Sequence, residues 1–131
     1  MERIQFEVVR GNLDDVLKLV GNARQRIVIQ ENGRDRAALI SLEDFALLEN
    51  LDGDLNIPVE HVPLRDVKKY FSEDLAQVAD REERIVIQED GKDLAALVPG
   101  RDLALLENLD SRLDIEAAKR LLEQELKRDD D

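Results

Sequence analysis

The sequence predicts an α+β fold. It consists of two tandem β-α-β-β-α units that pair as an intramolecular pseudo-dimer around a shared antiparallel sheet, followed by a C-terminal helix. Three observations carry that expectation. The stretch RIVIQENGRDRAALI beginning at Arg26 returns as RIVIQEDGKDLAALV beginning at Arg84. At that offset of 58, residues 26–57 align with 84–115 without a gap, and 21 of the 32 pairs are identical. Upstream the identity fades but the apolar pattern holds: Ile4 aligns with Val62, Leu13 with Phe71, Leu17 with Leu75 and Val20 with Val78. Repeats that stack into solenoids usually come in threes or more, whereas two copies point to a fused dimer. The implied divisions are 1–58, 59–115 and a tail over 116–131, with Pro58 at the seam.

Each element has a local reason. A short apolar start, Arg3-Ile4 or His61-Val62, reads as a first strand. Val9, Leu13, Val16, Leu17 and Val20 then recur at helical spacing, and Gly21-Asn22 reads as the stop. In the second copy Val67, Phe71, Leu75 and Val78 keep that spacing, but Asp74 stands where Val16 does and narrows the apolar stripe. The β-branched runs Ile27-Val28-Ile29 and Ile85-Val86-Ile87 open hairpins. Asn32-Gly33 and Asp90-Gly91 supply the positive φ angles of a two-residue turn. The return strands are Ala37-Ala38-Leu39-Ile40 and Ala95-Ala96-Leu97-Val98, whose alanines predict close approach of another element. A second helix follows. Ser41 and Asp44 resemble a cap three residues ahead of an acid, and Phe45, Leu48 and Leu51 share a face with Leu47 and Leu55 beside it. Pro99 replaces Ser41 in the second copy, where Leu103, Leu106, Leu109 and Leu113 line up. Asp114 is expected to cap a further helix carrying Ile115, Ala118, Leu122 and Leu126. A unit this small buries too little surface to stand alone and leaves a hairpin edge unpaired. Pairing of one copy with the other, in a monomeric chain, is the simple remedy.

Composition excludes several function classes. There is no cysteine and one histidine, His61, so neither thiolate chemistry nor a zinc site built within the chain is expected. No glycine loop for phosphates and no nucleophile beside a base is present, so the chain reads as no enzyme and implies no cofactor. Carboxylates such as Glu43, Asp44, Glu49 and Asp52 are expected on solvated helix faces. No apolar run is long enough for a membrane span, and a soluble, cytoplasmic protein is expected. The net charge of −12 opposes nucleic acid. It is unevenly spread: residues 1–30 hold five bases and four acids, residues 31–58 seven acids against Arg34 and Arg36.

The order of these segments resembles the Phd/YefM (prevent-host-death) family of bacterial antitoxins. That family carries a helix like S-E-A-R-x-N-L-S-x-L-x-x-x-V, a hairpin like V-I-I-T-x-N-G-x-P-x-A-V-L-V-S, and a helix opening L-E-D-Y. Here Arg10, Asn12, Leu13, Leu17 and Val20 fit the first. Ile27-Val28-Ile29, Asn32-Gly33 and Ala38-Leu39-Ile40-Ser41 fit the second, and Leu42-Glu43-Asp44-Phe45 the third. The second copy has Lys68, Tyr70, Phe71 and Ser72 in the first motif. The resemblance implies a dimer that binds operator DNA through its N-terminal region as an autorepressor and neutralises a cognate toxin through a C-terminal helical arm. It assigns DNA contacts to Arg3, Arg10, Asn12, Arg65, Lys68 and Lys69. It assigns toxin contacts to Ile115, Ala118, Leu121, Leu122 and Leu126. The fusion departs from the family by carrying two heads and one tail. The first copy also has Val8 in place of an acid and lacks a Ser or Thr cap. A degenerate paralogue, serving as an interaction module without DNA binding, is the competing expectation.

Overall fold

The structure is a computed structural model describing residues 2–52 and 57–129, without the side chains of Asp52 and of residues beyond 124. Leu55 and the side chain of Leu126, both assigned above to apolar faces, lie outside the described residues. The first half contains β1 (Glu2–Gln5), α1 (Phe6–Gly11), α2 (Leu13–Ala23), β2 (Ile27–Glu31), β3 (Arg34–Ile40) and α3 (Leu42–Asp52). The second contains β4 (Val59–Pro63), α4 (Leu64–Lys69), α5 (Phe71–Arg81), β5 (Arg84–Glu89), β6 (Lys92–Pro99) and α6 (Gly100–Asp129).

Where one helix was expected after the first strand, there are two. The chain breaks at Asn12 (φ −133°) and at Tyr70 (φ −119°), positions 58 apart. Asn12 shows why its side chain favours a break: Nδ2 donates to the Val8 carbonyl at 2.9 Å, competing with the helical ladder. Nor does α2 stop at Gly21-Asn22. It continues to Ala23 because Val20, fully buried, holds that turn on the sheet. The left-handed residue that ends it is Arg24 (φ 52°), matched by Glu82 (φ 56°) after α5.

The six strands form one sheet in the order β1-β2-β3-β6-β5-β4. It is mixed, not antiparallel throughout: β1 runs parallel to β2, and β4 parallel to β5. An intervening pair of helices carries the chain back along the sheet before the next strand, and only a parallel neighbour results from such a crossover. The hairpins are as expected, with Asn32 and Gly33 at φ 54° and 77°, and Asp90 and Gly91 at φ 52° and 76°. Both hairpins bulge close to their tips, between Ile29 and Gln30 and between Ile87 and Gln88. The halves meet where β3 pairs antiparallel with β6, Ala38 opposite Val98, Leu39 opposite Leu97 and Ile40 opposite Ala96. Shifting numbers by 58 exchanges the first and last of these pairs and leaves Leu39–Leu97 in place.

Helices cover both faces of the central strands, so those strands are buried continuously and do not alternate. One face packs Ile27, Ile29, Leu39 and their second-half equivalents Ile85, Ile87 and Leu97 under α1, α2, α4 and α5. The other packs Val28, Ala38, Ile40, Val86, Ala96 and Val98 under Phe45 and Leu48 of α3 and Leu103 and Leu106 of α6. Across the first face Phe6 stacks on Phe71, ring centres 5.5 Å apart.

Ile29→Asp and Ile87→Asp are each expected to unfold the chain. Both side chains are fully buried, and an unpaired carboxylate there costs several kcal/mol, about the whole stability of a small domain. Thermal melting checks this: a cooperative transition within a few degrees of the parent would remove the strand from the centre of the core.

Candidate partner-binding and nucleic-acid interfaces

The sequence from Arg101 to Asp129 contains neither glycine nor proline, and α6 runs through it unbroken for 30 residues. Asp114 therefore caps nothing; it lies mid-helix, because no residue near it favours leaving the helical conformation. The first turns of α6 are anchored by Leu103 and Leu106. From Ser111 to Gln124 every residue is exposed, including Leu113, Ile115, Leu121 (64%) and Leu122 (60%). Ile115, Ala118, Leu121 and Leu122, assigned above to toxin contact, thus lie together on an unpacked stretch of helix.

An ionic clamp sits where this stretch leaves the body. Asp44, 1% exposed, accepts from Arg26 Nε at 3.0 Å and from Arg24 Nη2 at 3.0 Å. Arg26 also donates through Nη1 to Asp110 of α6 at 2.6 Å, joining the first half to the emerging helix. Hydrogen bonding to Asp44 raises the Arg26 pKa despite burial, and Asp110 adds to it. Burial by itself would push the Asp44 carboxyl up; hydrogen bonds from Arg26 and Arg24 outweigh that and hold it below the usual range. The second half repeats the inner pair, Arg84 to Asp102 at 2.7 and 2.9 Å, with both side chains sequestered from water. Ser41 does cap α3, its Oγ accepting from the Asp44 amide at 3.2 Å. Asp44 itself is no solvated surface acid, as its residue type suggested. The repeat carried the missed signal: Arg26 and Asp44 recur as Arg84 and Asp102 at the same spacing of 18, and all four residues are charged.

The residues assigned to DNA are only partly gathered. Arg10, Asn12 and Lys68 line one shallow cleft beside Asp14 and Asp15 where α1, α2 and α4 meet. Arg65 and Lys68 line another beside Glu89 and Asp90. Arg3 lies apart on β1. Most of their charge is already engaged: Lys68 contacts Asp14 at 2.8 Å, Arg3 contacts Asp35 at 3.4 Å, and Arg10 contacts Glu7 at 3.7 Å. Lys69 lies over the Tyr70 ring, and Asn12 is committed to the Val8 carbonyl. Arg65 is exposed and makes no ion pair among the described residues. No group of acids and histidines among those residues is arranged to hold a metal ion, and no helix there is long and apolar enough to cross a membrane.

The body is a three-layer α+β fold built on a mixed six-stranded sheet, and one helical arm leaves it unpacked among the described residues. Residues 60–131, more than half the chain, match the family model described as Antitoxin Phd_YefM, type II toxin-antitoxin system. The chain belongs to that family. Neither a curated protein nor a solved structure matches it.

One half-buried acid has no counterpart in the first half. Asp74 takes the place of Val16, and its Oδ2 is sequestered without a hydrogen-bond partner among the described residues. Burial pushes its carboxyl up to about 6, helped by the charges of Glu60 on β4, Glu73 beside it and Asp66 on α4. The folded protein therefore holds this proton more tightly than the unfolded chain. Stability from the protonated form is present below pH 4 and is lost as pH rises through 6. Asp74→Val is expected to raise the melting temperature at pH 7 by about 5 °C and to gain far less at pH 4. Melting curves of parent and variant across that range check it; a gain independent of pH would assign the effect to packing alone.

Proposed function

We propose that the chain is an antitoxin of a type II toxin–antitoxin system, with its two halves forming a dimer written as one polypeptide and its arm neutralising a toxin. The observation that carries this is the stretch 111–124 of α6, exposed around its whole circumference. A helix of about 14 residues gains little stability in water on its own, and leucines held in solvent are available to a partner. Fully burying each contributes roughly 1.5–3 kcal/mol. Family membership supports a toxin as that partner. The halves supply each other's central strand edge, which supports a monomeric chain; light scattering is expected to give 15.0 kDa, and a stable species of twice that mass would oppose it.

Operator binding is the second reading, favoured by Arg65, Lys68 and Lys69 on α4. Three of the six assigned residues are already neutralised by Asp14, Asp35 and Glu7, and the chain carries −12 overall. Few phosphates would be contacted, so binding to DNA upstream of its own gene should show a shallow salt dependence. The absence of any shift in low salt would leave the interaction module without DNA binding.

Truncation after Asp114 tests the main reading. Residues beyond Asp110 pack on nothing among the described residues, so the 1–114 chain is expected to melt within a few degrees of the parent. Coexpressed with the toxin encoded beside its gene, it should fail to restore growth where the full chain succeeds. A large loss of melting temperature would make the arm part of the fold, and full rescue by the truncated chain would place neutralisation elsewhere.

A further inference from the structure

Resting on the reading of the arm as a toxin-binding segment, we infer that the partner encloses residues 111–124 in a two-walled apolar groove with a cation on its floor facing Asp114. At 3.6 residues per turn, Leu113, Ala117 and Leu121 form one stripe, and Ile115, Ala118 and Leu122 form a second. Together they span roughly 200° of the helix, and the polar residues Ser111 and Gln124, at the two ends of the stretch, fall within the stripes. An ordinary surface helix shows an apolar stripe about half that wide. The charged residues Arg112, Glu116, Lys119, Arg120 and Glu123 crowd into roughly 100° of the remaining roughly 160°. Arg112–Glu116, Glu116–Arg120 and Lys119–Glu123 are opposite charges four apart, a spacing that stabilises an unpartnered helix slightly. With three bases against three acids over 111–124, counting Asp114, the arm offers no net charge to attract an acidic or basic surface. Net charge therefore does not select the partner; shape and the placement of single charges do.

The width of the arc selects the occupant. A second copy of this chain, packing helix on helix, would cover one stripe and leave the other wet. A groove with two walls covers both. Ala117, in the middle of the first stripe, and Ala118, on the inner edge of the second, are small and let the groove wall and floor approach the helix backbone. Asp114 falls inside the same arc, between Leu121 and Ala118 in angle. Enclosed without a partner, its carboxylate would be a buried uncompensated charge, so the groove must supply an Arg or Lys there. An anionic membrane is disfavoured by the net charge of −12.

The test uses the full chain and the purified toxin encoded beside its gene. Leu121→Glu interrupts the first stripe, Leu122→Glu the second, and Asp114→Asn removes the charge. All three sites are exposed, so melting temperatures should stay at the parent value. Each leucine variant is expected to weaken binding by about 30-fold or more, the loss shown by a binding hot spot, and Asp114→Asn by about tenfold. Tolerance of either leucine variant would overturn the groove in favour of one-sided contact, leaving the antitoxin reading intact. An unchanged affinity for Asp114→Asn would remove the floor cation. A parent dimer dissolved by Leu121→Glu, or sedimentation with anionic phosphatidylglycerol vesicles lost in that variant, would install a different occupant and overturn the inference. Failure of the parent chain to bind the toxin would overturn the antitoxin reading itself.

Discussion

Four residue pairs hold the two halves in one sheet. Without the antiparallel contact of Ala37–Ile40 with Ala96–Pro99, β3 and β6 would each present an unpaired edge in the middle of an apolar face. That contact lets both faces be covered, because each set of helices then bridges strands from both halves. The alanines at its centre matter for this reason. Ala38 and Ala96 are fully buried, and their small side chains admit α3 and α6 close to the backbone. Phe6 reaches Phe71 on the opposite face only because the strands beneath have been brought together.

On that foundation the charged contacts break the likeness between the halves. Lys68 meets Asp14 across the junction, yet the positions corresponding to this pair, Arg10 and Ser72, cannot repeat it. Arg36 reaches Asp80, where the corresponding residues are Leu94 and Asn22. These exposed or half-exposed pairs are worth at most about 1 kcal/mol each, too little to hold the fold. They favour the pairing of unlike halves over like ones. The Asp44–Arg26–Asp110 relay is of another kind. Its inner carboxylate is buried, and removing Arg26 would leave Asp44 with only the half-exposed Arg24 as its counter-charge. Its position at the last packed turn of α6 fixes where body ends and arm begins.

The difference between the two ends follows from one sequence fact. The first half is followed by Pro58 and a new strand, and the second by an uninterrupted run of helix formers. One body therefore carries one long arm. The arm's stripes are too wide for a single packing face, and the body offers nothing to cover them among the described residues. Asp74 imposes a second asymmetry: a valine site in the first half is a protonation site in the second, which ties the stability of the α4–α5 side to pH.

Local chemistry determined the hairpins, since Asn32-Gly33 and Asp90-Gly91 at the ends of β-branched runs have few alternatives. It also determined the apolar faces of α2 and α5, the cap at Ser41 and, through the internal repeat, the likeness of the two halves. Tertiary structure decided the rest. The parallel pairing of β1 with β2 depends on how a crossover returns to the sheet, which no residue of either strand encodes. The break at Asn12 was hidden because apolar spacing carries on across it, from Val9 to Leu13. Asp44 read as a surface acid because burial of a carboxylate is possible only once an arginine from 18 residues upstream arrives beside it. Asp114 read as a cap because Asp is common there. Whether it caps depends on the preceding turns, and these were already held helical by Leu103, Leu106 and the Arg26–Asp110 contact. Spacing along the chain fixes which residues share a face, but the partner across that face is set by distant segments, and only their meeting determines whether a charge is solvated, paired or stranded.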